Sequence, residues 1–244
     1  DVPDEEEQYS VYRRIIEGAA GRRVIFRTFD IGADKQQHLL TECTGENPAM
    51  GVRGLRRHLA GRTQEFRTQL RAIMRAAHGA DTGILLPVIT TVDDIRAAKE
   101  HCGAVKDELR SGNLPFSEDI SFGAMIEVPA AAIAVRQILA EVDFVSIGTN
   151  DLLQYFMAAD RDNEEVLRYN TPDNGAFLWL LQFIIREAAE VGREGDVTVC
   201  GEMASQSNLL SVLIRQGYRS FSISPVAAAA VRRACGELHV AGRT

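Results

Sequence analysis

At 244 residues, 45% of them hydrophobic, the chain exceeds an ordinary domain but suits a single α/β barrel of about 250 residues with a substantial buried core. Its formal net charge of −7 argues against a nucleic-acid surface, even though arginines gather between Arg53 and Arg75. No apolar run approaches the roughly 20 residues of a membrane-spanning helix, and the stretch from Asp1 to Glu5 lacks a secretory leader.

In chain order, the acidic opening Asp4 to Glu7 reads as the solvated first turn of a helix. Short β-branched or aromatic runs then alternate with amphipathic segments. A strand is predicted over Val24 to Asp30, followed by a polar, Gly/Pro/Asn-marked loop over Gln36 to Gly51 and a helix over Thr63 to Ala77. Next come a strand at Ile84 to Val88, a helix at Val92 to Arg110, a strand at Ile120 to Glu127 and a helix at Pro129 to Ala140. The strand Val142 to Ile147 precedes a second polar loop, Asp160 to Gly175. The helix Phe177 to Val191, the strand Val197 to Cys200, the helix Ser207 to Gln216 stopped by Gly217, and the strand Phe221 to Ser224 complete the series.

Strand, helix, strand repetition predicts parallel pairing, and the continuous apolar strands predict a sheet covered on both faces. A doubly wound open sheet is the alternative, but no Gly-rich dinucleotide-binding turn follows the first strand. The expectation is one domain over residues 1–244, an α/β fold of the TIM (β/α)8-barrel type, with no internal repeat and no Pro/Ser linker.

The polar residues fall at strand ends: Arg27 and Asp30, Glu127, Asn150 and Asp151 just after Gly148, and Cys200. In a barrel all of these share one mouth. A charged residue closing an apolar strand needs a partner, so Glu127 and Asp151 call for a cation between them, and two carboxylates suit magnesium. The blander reading is that each caps the following helix. Arg27, Arg53 and Arg161 sit beside strands or Gly-marked turns and read as an anion cradle, because guanidinium forks match phosphate oxygens. Ordinary ion pairing is preferred for Arg56, Arg57, Arg62, Arg67, Arg71 and Arg75 on helical faces, and Lys35 is ambiguous.

Cys200, between an apolar strand and Gly201-Glu202, is placed to give a proton to a carbon, although a buried inert thiol is the commoner fate of cysteine. Cys43, Cys102 and Cys235 have neither metal spacing nor a disulfide framework and read as reduced thiols of a cytoplasmic protein. The histidines His38, His58, His78, His101 and His239 form no ligand pair.

Six segments carry a resemblance. They are Arg27-Thr28-Phe29-Asp30-Ile31-Gly32-Ala33-Asp34-Lys35, Glu46-Asn47-Pro48-Ala49-Met50-Gly51-Val52-Arg53, Glu127-Val128-Pro129-Ala130-Ala131, Ser146-Ile147-Gly148-Thr149-Asn150-Asp151-Leu152, Ala159-Asp160-Arg161 and Cys200-Gly201-Glu202-Met203. In this order they resemble the phosphoenolpyruvate-binding C-terminal domain of enzyme I, the phosphoenolpyruvate-protein phosphotransferase family of the bacterial phosphotransferase system. The resemblance covers about Glu5 to Leu238. Pyruvate phosphate dikinase and phosphoenolpyruvate synthase share much of the pattern. Cys200-Gly201-Glu202-Met203-Ala204 and Gly217-Tyr218-Arg219 look closer to the nitrogen-related branch than to the sugar-transport branch.

The resemblance implies that Arg27, Arg53 and Arg161 bind phosphoryl and carboxylate oxygens, that Glu127 and Asp151 ligate Mg2+, and that Asn150 with the backbone of Asp151 orients the substrate. Cys200 would protonate the methylene carbon of the pyruvate enolate. It further implies a phosphate-accepting histidine on a separate domain, a downstream phosphocarrier protein, and a homodimer. Several features depart from the family. The histidine motif is missing, and a first barrel strand with a further arginine would lie before Asp1. Ser205-Gln206 replaces Gly-Asp, Val52 stands where Trp is usual, Tyr169 to Asn174 is not Pro-rich, and the closing helices are mostly missing, with Ala241 to Thr244 looking foreign. The competing expectations are the pyruvyl domain of a dikinase or synthase, and a non-catalytic metabolite-sensing paralogue.

Overall fold

The computed structural model describes residues 2–30 and 47–241, with the side chains at 48 and 238–241 excepted. Lys35, His38, Cys43 and most of the Gln36 to Gly51 loop lie outside the described residues, as do the side chain of His239 and residues 242–244. The chain divides into two compact units, Asp1–Ala124 and Met125–Thr244.

The first unit opens with α1 (Glu5–Gly18), whose start is fixed by reciprocal bonds: Glu7 N–H donates to the Asp4 carboxylate and Asp4 N–H to the Glu7 carboxylate, both at 2.9 Å. The acidic opening is therefore a helix start, as its composition predicts. Strand β1 (Val24–Arg27) pairs in parallel with β2 (Thr82–Leu86), and β2 with β3 (Ser121–Ile126), Gly83 standing opposite Ser121. Every residue of β2 is buried, the pattern of a strand covered on both faces.

Between β1 and β2 lie α2 (Gly54–Leu59) and α3 (Thr63–Ala76), and α4 (Val92–Ser111) leads into β3. Helix α3 buries Phe66, Leu70, Ile73 and Met74 and turns Arg67, Arg71 and Arg75 outward. Those arginines pair with Glu108, Glu5 and Glu6, tying α1 and α4 to α3. Burial pushes the Glu5 carboxyl up, but hydrogen bonds and charge from Arg71 and Arg75 outweigh it and hold the group below its ordinary value. The helical arginines are thus ion-paired, as expected, except that Arg56 donates to Thr90 Oγ1 at 2.7 Å.

In the second unit β4 (Phe144–Gly148), β5 (Val197–Cys200) and β6 (Ser220–Phe221) also pair in parallel, Val145 opposite Val197 and Val199 opposite Phe221. The single helix predicted over Pro129 to Ala140 is two, α5 (Pro129–Ile133) and α6 (Val135–Leu139), separated at Ala134. Helices α7 (Thr149–Met157), α8 (Gly175–Ala189), α9 (Ser207–Gln216) and α10 (Ala228–Ala241) follow. Gly217 adopts φ +115° and ends α9, as the sequence predicts. Leu181, Ile184 and Phe177 of α8 lie in the core with Tyr218, whose hydroxyl donates to the Leu181 carbonyl at 2.7 Å. Arg193 donates to the carbonyls of Leu139, Val142 and Asp143, fastening the α6–β4 turn. Among the described residues no helix is long and apolar enough to cross a membrane.

Candidate functional site

In the first unit the chain leaves β1 at Arg27 and brings Asp30 to a position where its side chain is only 2% exposed. Burial of a lone carboxylate is costly, and Arg53 answers it with a fork: Nε donates to Oδ1 at 3.0 Å and Nη2 to Oδ2 at 2.6 Å. Arg27 Nη1 lies 3.8 Å from the same carboxylate with its side chain 45% exposed. The structure thus brings Arg27 and Arg53 together on Asp30.

Arg53 immediately precedes α2, and the seat of that helix is tight. Gly54 has φ +54°, and a Cβ there would come within 2.5 Å of Val88 Cγ2. Val88 itself holds φ +55°, a left-handed conformation that β-branched residues rarely take, just after Pro87 closes β2. His58 of α2 is buried, stacks on Phe66 at 5.0 Å and binds the Phe29 carbonyl through Nε2 at 3.3 Å. Since a carbonyl only accepts, that nitrogen carries the proton, and burial pushes the His58 pKa down.

In the second unit Glu127 follows β3 and is 2% exposed, while Asp151, on the first turn of α7, is 7% exposed. Their carboxylate oxygens come within 4.8 Å of each other. Gly148 permits this crowding, because a Cβ on it would lie 2.8 Å from Glu127 Oε2. Neither carboxylate occupies the N-cap position of its following helix, which falls to Val128 for α5 and to Gly148 for α7. Arg161 donates to Asp151 Oδ1 at 3.0 Å, and its own N–H is held by Gln154 Oε1 at 3.1 Å.

Asn150 Oδ1 accepts from Glu202 N–H at 3.1 Å, and the Thr149 hydroxyl donates to the Cys200 carbonyl at 2.7 Å. The thiol of Cys200, half-buried, donates to the Ile147 carbonyl at 3.2 Å. The other described thiols differ. Cys102 is fully buried, and burial pushes it up to about 12, so it stays protonated and inert at neutral pH; Cys235 is half-buried on α10. The sequence reading missed Thr149 and Gln154. Their signal was position alone: both lie on the helix that carries Asn150 and Asp151.

Over residues 1–240 the chain matches the family described as PEP-utilising enzyme, PEP-binding domain. It is 41% identical over 225 residues to the phosphoenolpyruvate-protein phosphotransferase of Streptococcus equinus, covering 92% of this chain and 39% of that protein. It is 40% identical over 242 residues to the protein of the same name from Haloferax volcanii, covering 98% and 42%. The chain therefore spans about two fifths of the length of these curated relatives.

Among solved structures, malate synthase of Haloferax volcanii superposes with a TM-score of 0.54 at 14% identity, over 94% of this chain and 60% of that one. A citrate lyase of Burkholderia xenovorans superposes with a TM-score of 0.52 at 22% identity, over 69% and 53%. These likenesses concern the fold alone, which is α/β with parallel strands and TIM-barrel-like neighbours, the class that the alternation of strands and helices predicts. The chain belongs to the family of PEP-utilising enzymes, as their PEP-binding domain.

Proposed function

We propose that residues 1–244 act as one phosphoenolpyruvate-binding domain of a phosphotransferase, which with Mg2+ moves the phosphoryl group of phosphoenolpyruvate to a histidine on a separate domain and releases pyruvate. The observation that carries this reading is the crowding of two buried carboxylates, Glu127 and Asp151, to within 4.8 Å. Like charges so close in a low-dielectric setting repel, and a shared cation removes the cost. An all-oxygen pair fits Mg2+, which accepts one or two carboxylates and fills its other positions with water and phosphate oxygens. Bound there, Mg2+ would supply Lewis-acid neutralisation of phosphoryl charge.

The chain's own residues divide the remaining work. Arg27, Arg53 and Arg161 hold phosphoryl and carboxylate oxygens of the substrate, exchanging part of their pairing with Asp30 and Asp151 for the ligand's anionic oxygens. Asn150, oriented by Glu202 N–H, presents its amide to the substrate together with the Asp151 backbone. When the bond from phosphorus to the enol oxygen breaks and a bond to the histidine nitrogen forms, the electron pair left on oxygen builds the carbonyl. The methylene carbon then takes a proton from Cys200 Sγ, leaving pyruvate and a thiolate that solvent reprotonates.

The names of the curated relatives favour a phosphotransferase over a dikinase or synthase. The proposal places the protein in the cytoplasm, as a homodimer that hands its phosphoryl group to a downstream phosphocarrier protein. Calorimetric titration of the purified chain with phosphoenolpyruvate in Mg2+ tests the binding half: saturable heat is expected, and no heat at millimolar ligand overturns it.

A further inference from the structure

Cys200 is tied at two points to the end of β4. Its carbonyl accepts from the Thr149 hydroxyl at 2.7 Å, and its thiol donates to the carbonyl of Ile147, two residues earlier, at 3.2 Å. Thr149 is buried, which shelters the donor end of the hydroxyl bond from water. The next residue makes the approach possible. Gly201 has φ +94°, and a Cβ on it would come within 2.3 Å of Thr149 Oγ1 and 2.8 Å of Asn150 Oδ1, so glycine is needed both for the turn and for the contact. Glu202 N–H closes the staple on Asn150.

From this geometry we infer that Thr149 is a positioning residue for Cys200: its hydroxyl fixes the backbone from which the thiol is presented. The inference rests on the proton-donor role given to Cys200 above. The S–H bond to Ile147 is weak and the sulfur hydrogen turns easily about the Cβ–Sγ bond, so the proton can be redirected to a carbon while the backbone stays pinned. A hydroxyl that merely stiffened the fold would affect melting and ligand affinity together; one that aims the thiol acts on Cys200 chemistry alone.

The test uses the whole chain with Cys43→Ser and Cys235→Ser, leaving Cys200 and the inert Cys102. Three quantities are measured: alkylation of Cys200 by iodoacetamide, deuterium uptake into the pyruvate methyl group with Mg2+ in heavy water, and phosphoenolpyruvate affinity by calorimetry. Thr149→Val should change the alkylation rate by at least about threefold. It should slow methyl exchange about tenfold or more, with affinity kept within about threefold. Thr149→Ser, which keeps the hydroxyl, should restore both rates.

Valine matching threonine in both rates, or serine failing as valine does, would overturn the inference. If Thr149→Val melts early, Thr149→Ala below its melting temperature carries the same comparison. Absence of phosphoenolpyruvate binding in the unsubstituted chain would instead defeat the proposed function, and the alkylation rates would still decide Thr149.

Discussion

The two units each bury a carboxylate at the end of an apolar strand, and they treat it differently. In the first, Asp30 is met by the full fork of Arg53 and by Arg27 at longer range, so the charge is balanced within its own unit. In the second, Glu127 and Asp151 are pressed together and Arg161 reaches Asp151 through one nitrogen. The first arrangement is that of a structural ion pair, whose worth lies in the penalty for breaking it. The second gathers negative charge, as a cation site requires. The contrast is between a carboxylate answered by arginine nitrogens and two carboxylates that the proposed function assigns to a cation.

The strongest test of that contrast is Arg53→Ala, which strands Asp30 in the interior; a loss of about 3–5 kcal/mol is expected in urea denaturation. A loss below about 1 kcal/mol, the usual range of surface pairs, would show that Asp30 needs no buried partner. Glu127→Gln should behave in the opposite way. Melting should change by less than about 1 kcal/mol, while phosphoenolpyruvate affinity in Mg2+ falls about 100-fold, equivalent to about 2.7 kcal/mol. Equal damage to folding and binding would erase the distinction between the two regions.

Gly54→Ala comes next. It places a Cβ against Val88 in a left-handed backbone, and should cost about 1–3 kcal/mol and weaken substrate binding through displaced Arg53. Calorimetry and denaturation on the same sample separate the two effects.

The smallest effect concerns pH. His58 has a folded-state pKa below its ordinary value, so above the unfolded value near 6.5 it contributes no pH dependence. As pH falls below that value the unfolded chain takes up a proton that the folded chain refuses. Stability should then drop by at most about 1.4 kcal/mol per pH unit until the folded pKa is reached. Urea midpoints at pH 7.5 and 5.5 check this against His58→Gln, which should show a shallower fall; identical slopes would remove His58 from the titration.

Much of the fold was legible because parallel strands covered on both faces are written as continuous apolar runs, and β2 and β4 are buried at every position. Strand ends were less so, because tertiary partners set them. The strand expected to reach Asp30 stops at Arg27, where the chain turns to give Asp30 to Arg53. The strand expected over Ile84 to Val88 runs instead from Thr82 to Leu86, since Pro87 has no N–H for the ladder and Val88 takes a left-handed conformation.

The last strand is also shorter than expected, Ser220–Phe221 rather than Phe221 to Ser224. The break between α5 and α6 at Ala134 was invisible, as alanine carries no turn signal. In the site, charge at strand ends marked Arg27, Glu127 and Asp151, while Arg161, in the turn after α7, was marked by its guanidinium chemistry. Thr149 was hidden because a hydroxyl acquires meaning only from what it touches, here the Cys200 carbonyl 51 residues away.

The central claim, that Glu127 and Asp151 hold a divalent cation that the substrate phosphate also meets, is most directly tested with Mn2+ in place of Mg2+ and phosphorus relaxation of added phosphoenolpyruvate. The account predicts strong relaxation of the phosphorus signal with the unsubstituted chain and its loss in Glu127→Gln and Asp151→Asn. The same relaxation in all three proteins would contradict it.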